Sequence, residues 1–274
     1  MKDYQLKPGF VPGSAGRLYA LDVEPVGEVL AQAVYLPPHG EELNRCRTMI
    51  AGQARELAKR GIACRLLDYY GTGDSEGDFR QGNWPLWLAD AAAQITELQS
   101  RASRPVVVVG CRLGAMLAMD LLADSSLKIH QVVLVQPVLQ GKQYVTQLLR
   151  QRMALQMSTG AEVENTDQLR ERIARGETLE IGGYEFAADL LTHLDGVSPE
   201  RWGSLRDASI VWIEHVSDAA KEIAIVSRKI VAQLQEQGNA VAPVRVCTPP
   251  VWQLHERECV QGAVTAFANL ELSV

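Results

Sequence analysis

Residues Val106 to Val109 are four consecutive valines, closed by Gly110, and an apolar helical pattern follows at once from Leu113 to Ala123. β-Branched residues without polar alternation belong in a strand covered on both faces, as in the middle of a parallel sheet. Only three residues, Cys111 to Leu113, separate Gly110 from Gly114, so the passage from strand to helix must be a very tight turn. Small residues on both sides of such a turn let the backbones approach and leave the central residue, here Arg112, exposed at its tip.

The rest of the chain repeats the alternation. Val29 to Leu36 reads as a strand stopped by Pro37 and Pro38, Arg45 to Arg60 as a helix ending at Gly61, and Ile62 to Leu67 as the next strand. Trp84 to Ser100 reads as a helix with Pro85 in its first turn, where the missing N–H costs little. Gln131 to Gln136, Ile210 to Val216 and Pro243 to Cys247 read as further strands. A helix ending at Gln237 and another over Glu258 to Asn269 complete the pattern. Strands and helices alternating at this spacing predict an α/β chain with a mostly parallel sheet and helices on both faces. The rhythm breaks between about residues 138 and 200. Gly141 to Met157, Asn165 to Arg175 and Tyr184 to Leu194 have helical spacing with no convincing strand, which predicts a helical lid inserted over the strand ends of one domain.

The strand–Gly110–Cys111–Arg112–Leu113–Gly114–helix arrangement is the setting of a nucleophile elbow, G-x-S-x-G, with Arg112 in the serine position. A dinucleotide fingerprint needs G-x-G-x-x-G with an acid downstream, and a phosphate-cradling loop needs G-x-x-x-x-G-K-[ST]; this stretch has neither. Asp68 to Gly77 resembles the D-x-x-G-x-G-x-S-x-G loop of α/β-hydrolases, and Leu36 to Gly40, LPPHG, resembles the strand exit that precedes their oxyanion-hole N–H groups. Together, PPHGEELNRCR, DYYGTGDSEGDF, GCRLGA and QPVLQGKQY resemble the hydrolase 2 family associated with the exosortase A system of exopolysaccharide-producing bacteria. The resemblance spans nearly the whole chain. It implies an α/β-hydrolase fold, a place in exopolysaccharide production and protein sorting, and an elbow that need not carry serine. No substrate comes with it.

In this fold the catalytic acid follows a late strand and the histidine follows the last one. Asp218 and His255 occupy those stretches and are the candidate triad remnants; otherwise they are a helix N-terminal acid and a surface or capping histidine. The oxyanion loop would comprise His39, Gly40 and Glu41, and the elbow Cys111, Arg112 and Leu113. A guanidinium stays protonated at ordinary pH and is neither nucleophile nor general base, so acyl-enzyme chemistry of the serine type is excluded at the elbow. Two uses of Arg112 remain open. It could hold a carboxylate or phosphate ligand bidentately, or it could be locked by Glu41, Glu42, Glu214 or Asp218. The Cys111 thiol, one residue off the tip, should point into the strand–helix packing rather than act as nucleophile. Ser75 should make local turn hydrogen bonds and His215 should be a satisfied core group. Trp84, Trp87, Tyr144 and Trp252 could line a lid pocket or pack in the core, while His130 and His193 read as helix-end or surface residues.

A chain of 274 residues with 47% hydrophobic and 22% charged residues can bury a sizeable core. Its net charge of -6 makes nucleic acid an unsuitable partner. Five cysteines without a C-x-x-C pair predict neither a disulfide framework nor a metal site, and no motif calls for a cofactor. No basic segment followed by an apolar run opens the chain, and no stretch is long enough to span a bilayer, which predicts a cytoplasmic protein. The expected partners are a small-molecule ligand, anionic if Arg112 is free to hold it, or a protein of the exopolysaccharide system. The competing expectation is a working hydrolase or acyltransferase on esters or thioesters, with water activated by His255 and Asp218.

Overall fold

The computed structural model describes residues 3–101, 103–124, 126–254 and 261–273. Eight strands form one sheet: β1 (Tyr4–Pro12), β2 (Arg17–Pro25), β3 (Ala31–Leu36), β4 (Ile62–Leu67), β5 (Val106–Cys111), β6 (Gln131–Val135), β9 (Ser209–Val216) and β10 (Ala240–Cys247). Their order is β1-β2-β4-β3-β5-β6-β9-β10, and β2 alone runs against the others. The valine run lies at the sheet's centre as expected. Val106 and Val108 enter the core on one face, and Val107, Val109 and Cys111 the core on the other, following the two-residue period of a strand.

Helices α1 (Glu41–Lys59) and α8 (Gln261–Ala268) pack on the face that receives Val107 and Cys111. Helices α2 (Trp84–Arg101), α3 (Leu113–Leu122) and α7 (Ile225–Glu236) pack on the other. Helix α1 begins at Glu41, four residues before the apolar pattern does, because Gly40 turns the chain at φ 59° straight out of the β3 exit. The N-terminal β1–β2 hairpin has no counterpart in the sequence reading. Strand β1 is exposed along nearly its whole length and contains Pro8 and Gly9, so it carries no buried period and suits only a sheet edge.

The segment between β6 and β9 contains α4 (Gly141–Thr159), α5 (Thr166–Ala174), the short strands β7 (Leu179–Ile181) and β8 (Tyr184–Phe186), and α6 (Ala188–Asp195). The helix expected over Tyr184 to Leu194 is therefore corrected: its first three residues form a strand. Gly182 and Gly183, at φ 61° and 84°, supply the two left-handed positions of a tight hairpin turn, which helical spacing does not register. Gly141 sits so close to the Leu194 carbonyl that a side chain there would strike it, which lets α4 and α6 pack backbone to backbone.

One buried carboxylate ties this segment to two of the helices that cover the sheet. Asp120, on α3, accepts hydrogen bonds from Trp84 Nε1 on α2 (2.8 Å) and from Trp202 Nε1 beyond α6 (2.9 Å), and it meets Arg201 at 3.0 Å. Replacing Asp120 with alanine would leave two buried indole N–H groups without an acceptor, at about 1–3 kcal/mol each. Asp120→Ala is expected to lose about 3 kcal/mol or more in urea denaturation, with Asp120→Asn, which keeps one acceptor, in between. A loss below about 1 kcal/mol would show that the insertion is held by packing alone.

Candidate functional site

Arg112 stands at the tip of the turn between β5 and α3 with φ 55° and ψ −116°, a left-handed conformation that costs a non-glycine residue about 1–3 kcal/mol. Its N–H donates to the Val135 carbonyl (2.9 Å), and its own carbonyl accepts from Ala115 N–H (3.0 Å), which pins the turn to β6 and to the helix it opens. Both flanking glycines are required here. A Cβ on Gly110 would strike the backbone of Gly114 and Ala115, and one on Gly114 would strike the Leu36 and Pro37 carbonyls.

The guanidinium is not free. Its Nη2 meets Glu42 Oε1 at 2.9 Å, its Nε lies 3.3 Å from both carboxylate oxygens, and its Nη1 makes a long contact of 3.5 Å with the Gln136 carbonyl. The Trp252 ring lies 4.9 Å from the guanidinium carbon, a cation–π contact. Of the two uses open to Arg112, the lock by an acid is the one present, and Glu42 is that acid. Burial opposes the charge on Arg112, but the Glu42 carboxylate more than offsets it and holds the guanidinium above its ordinary pKa. Glu41, one residue earlier on α1, turns away to Arg45 (3.3 Å), and Arg45 Nη1 in turn donates to the Trp252 carbonyl (3.3 Å).

Beside the pair lies a cavity of about 360 Å³, lined by His39, Gly40, Arg112, Glu42, Tyr144 and Trp252 among others. His39 is buried among Phe79, Trp87, Tyr144 and Phe186, and its Nδ1 is 3.2 Å from the Tyr144 hydroxyl. Its Nε2 has no partner among the described residues. Burial, assisted by the Arg112 charge, holds this imidazole down at about 3, so it is neutral at any physiological pH.

The remaining sequence candidates fall in different places. Leu113 is buried at the start of α3, and the Cys111 thiol lies in the opposite core, where a hydrogen bond with Cys46 and burial push it up. Asp218 is exposed beyond β9, where its carboxylate caps the Ala220 N–H (2.9 Å); it does not line the cavity, so it is not brought to Arg112. His255 lies outside the described residues. Glu214 is buried and accepts from Ala224 N–H (2.6 Å), away from the guanidinium's bonds. Ser75 bonds the Asp68 carbonyl (2.7 Å) and receives Tyr19 N–H (2.8 Å), a loop-organising role.

His215 differs from expectation. Its Nδ1 meets Thr248 Oγ1 at 2.5 Å, but its Nε2 is unpartnered among the described residues, and it packs edge-on to Trp252. Burial, with Arg112 nearby, lowers it to about 4. His193 lies in the last turn of α6, the helix end expected for it, and is half-buried and stacked on Trp84. Tyr144 and Trp252 do line the cavity, while Trp84 and Trp87 are core.

The sequence reading missed the glutamines. Gln147 and Gln151 line the cavity from α4 and Gln253 from beyond β10. A signal was present: Gln143, Gln147 and Gln151 recur every fourth residue and so share one side of the helix. The β7–β8 hairpin, also missed, contributes Ile181 and Phe186 and is tied to α1 by a bond of 2.7 Å from Asn44 Nδ2 to the Tyr184 hydroxyl.

Residues 41–175, from α1 to the end of α5 and including the Arg112 turn, match the family model described as serine aminopeptidase, S33. No curated protein sequence gives a match. Among solved structures, Est1E from Butyrivibrio proteoclasticus with ferulic acid bound superposes with a TM-score of 0.66 at 14% identity, covering 95% of this chain and 96% of that one. An esterase from Pyrococcus furiosus gives 0.61 at 12% identity, covering 92% and 85%. A carboxyl esterase from Bacillus coagulans gives 0.59 at 12% identity, covering 89% and 90%. At these identities the likeness is one of fold, and the fold is that of the α/β-hydrolases. Among the described residues, no helix is long and apolar enough to cross a membrane.

The two depressed histidines fix a pH dependence. An unfolded chain protonates His39 below about pH 6.5, whereas the folded chain refuses that proton until about pH 3. The stability His39 contributes is therefore complete above about pH 6.5 and declines as pH falls through that window, by up to about 1.4 kcal/mol per pH unit. Urea denaturation at pH 7.5, 5.5 and 4.5 should show this loss, and His39→Gln should reduce its slope by close to one proton. An unchanged slope in His39→Gln would mean that the imidazole is solvated.

Proposed function

We propose that this chain is a degenerate α/β-hydrolase that keeps the elbow cavity as a binding site and has lost serine chemistry. The single observation behind this reading is the Arg112–Glu42 pair at the elbow tip. A protonated guanidinium cannot attack a carbonyl, and no serine, threonine or cysteine is among the described residues lining the cavity beside it. The ligand is a small molecule, or a short segment of a protein partner, in the cytoplasmic exopolysaccharide and exosortase A context that the sequence resembles. The anion that a free Arg112 would attract has to share the guanidinium with Glu42, so a simple carboxylate or phosphate meets a like charge at the same point. Water activation by His255 and Asp218 is the weaker reading, since Asp218 is exposed and engaged with its own turn.

Turnover and labelling separate the two. The wild type should neither hydrolyse p-nitrophenyl butyrate or short thioesters above background nor be labelled by a fluorophosphonate. Arg112→Ser alone should remain inactive, because it leaves the Glu42 carboxylate unpaired at the elbow. Clear wild-type turnover that disappears in His255→Ala would end the binding-only reading in favour of the hydrolytic one.

A further inference from the structure

The elbow cavity continues into a second one. The outer chamber, of about 690 Å³, shares Glu41, Arg45 and Gln151 with the inner chamber and runs past Leu155 and Ala161 to the Gly182–Gly183 turn. The two chambers therefore form one cleft, with α4 along its length and the β7–β8 hairpin contributing to both ends.

The charges on the inner chamber's walls cancel. The inner chamber's charged lining residues are Glu41, Glu42, Arg45 and Arg112, and each carboxylate is paired with a guanidinium: Glu41 with Arg45 and Glu42 with Arg112. In the outer chamber Arg152 is engaged by Glu164 (3.0 Å) and by the Glu180 carbonyl, and the remaining carboxylate, that of Glu180, is on an exposed residue where solvent compensates it. An anionic ligand would meet Glu42, and a cationic one would meet Arg112. Moving either charge into a half-buried site without a free counter-charge is costly. A ligand without net charge avoids both penalties.

The inner floor is also only half satisfied. Among the described residues, Arg112 Nη1 has just the 3.5 Å contact with Gln136, and Glu42 Oε2 just one contact of 3.3 Å, with Nε. The ion pair thus offers a ligand one donor, Nη1, and one acceptor, Oε2. Amide groups answer both, with a carbonyl oxygen accepting from the guanidinium and an amide N–H donating to the carboxylate. The walls offer the same chemistry. The side-chain amides of Gln147, Gln151 and Gln253 form no hydrogen bond among the described residues, and buried His39 Nε2 is likewise unpartnered. At the far end, Leu155 and Ala161 provide apolar surface, and Gly183 has nothing within 4 Å of where a side chain would be, so a ligand backbone can approach closely.

We infer that the cleft takes an uncharged, amide-bearing chain, such as a short peptide segment, with a carboxamide on the Arg112–Glu42 pair and an apolar side chain in the outer chamber. This rests on the binding reading of the elbow cavity and specifies its ligand class. A matched series tests it by titration calorimetry: acetyl-leucyl-alanine amide, the corresponding free carboxylate, and the ammonium analogue in which an aminomethyl group replaces the terminal carboxamide. The neutral amide should bind at least tenfold more tightly than either charged analogue. Glu42→Gln should reverse the order in favour of the carboxylate, because it releases Arg112. Gln151→Ala, which breaks no hydrogen bond among the described residues, should weaken the amide several-fold without moving the melting temperature, and so remains informative if Glu42→Gln does not fold.

A tighter-binding carboxylate in the wild type overturns the inference, as does the absence of binding by all three compounds at millimolar concentration. Methyl β-glucoside binding more tightly than the amide assigns the cleft to hydroxyl-rich ligands and overturns it equally. None of these outcomes depends on ester turnover, so the ligand class can fail while the non-catalytic reading stands, and the reverse.

Discussion

The ion pair between Arg112 and Glu42 organises the functional end of this molecule. It joins the tip of the central strand's turn to the first turn of α1, two elements whose neighbouring backbones already converge through Gly114 and the β3 exit. Both side chains are largely withdrawn from water, so either one alone would be a buried charge without a partner, a defect of about 3–5 kcal/mol. The pair need not add net stability to impose geometry. Each partner confines the other, and the cavity floor is fixed by that mutual confinement. The left-handed backbone at Arg112 persists on the same terms, over-determined by its bonds to β6 and α3.

Trp252 connects this pair to the next. Its ring covers the Arg112 guanidinium, while its carbonyl accepts from Arg45, the partner of Glu41. One residue from beyond the last strand thereby closes two ion pairs that both begin on α1. His215 meets the edge of the same indole, so the end of β9 is joined to the arrangement as well. The cavity wall is in this sense a cooperative unit. A change at Trp252 would loosen both arginines together, whereas a change at Arg45 would leave the elbow pair intact.

Much of the fold was legible because its strongest signal is periodic burial. The valine run, the glycines around Arg112 and the alternation of strands with helices each follow from where apolar side chains must go, and the sheet order agrees with them. Most of what escaped lacks that signal, although β2 buries Leu18, Ala20 and Val23. Strand β1 is nearly all exposed, and β7 and β8 are three residues each around a glycine pair. The site was legible in part: Arg112 announced itself by occupying a hydroxyl's place, but its partner could not be chosen among four acids. Glu41 and Glu42 are adjacent at a helix start, and a rotation of about 100° separates the directions they face. Which of them meets the elbow depends on how Gly40 launches α1 out of β3, a backbone angle that no side-chain pattern encodes. The unpartnered glutamines were visible as a four-residue repeat, yet only the packing of α4 shows that this side borders a cleft rather than solvent.

The distance from an esterase is consequently greater than one residue. Acyl transfer in this fold needs a hydroxyl at the elbow and N–H donors aimed at the oxygen that becomes negative. Serine in place of Arg112 would supply the first but would leave the Glu42 carboxylate at the elbow without its counter-ion. An unpaired carboxylate near the turn disfavours a developing negative charge there by like-charge repulsion. Changing either member alone leaves an unpaired charge that is largely withdrawn from water. That coupling gives a physical reason why a substitution at the arginine and one at the glutamate are not independent.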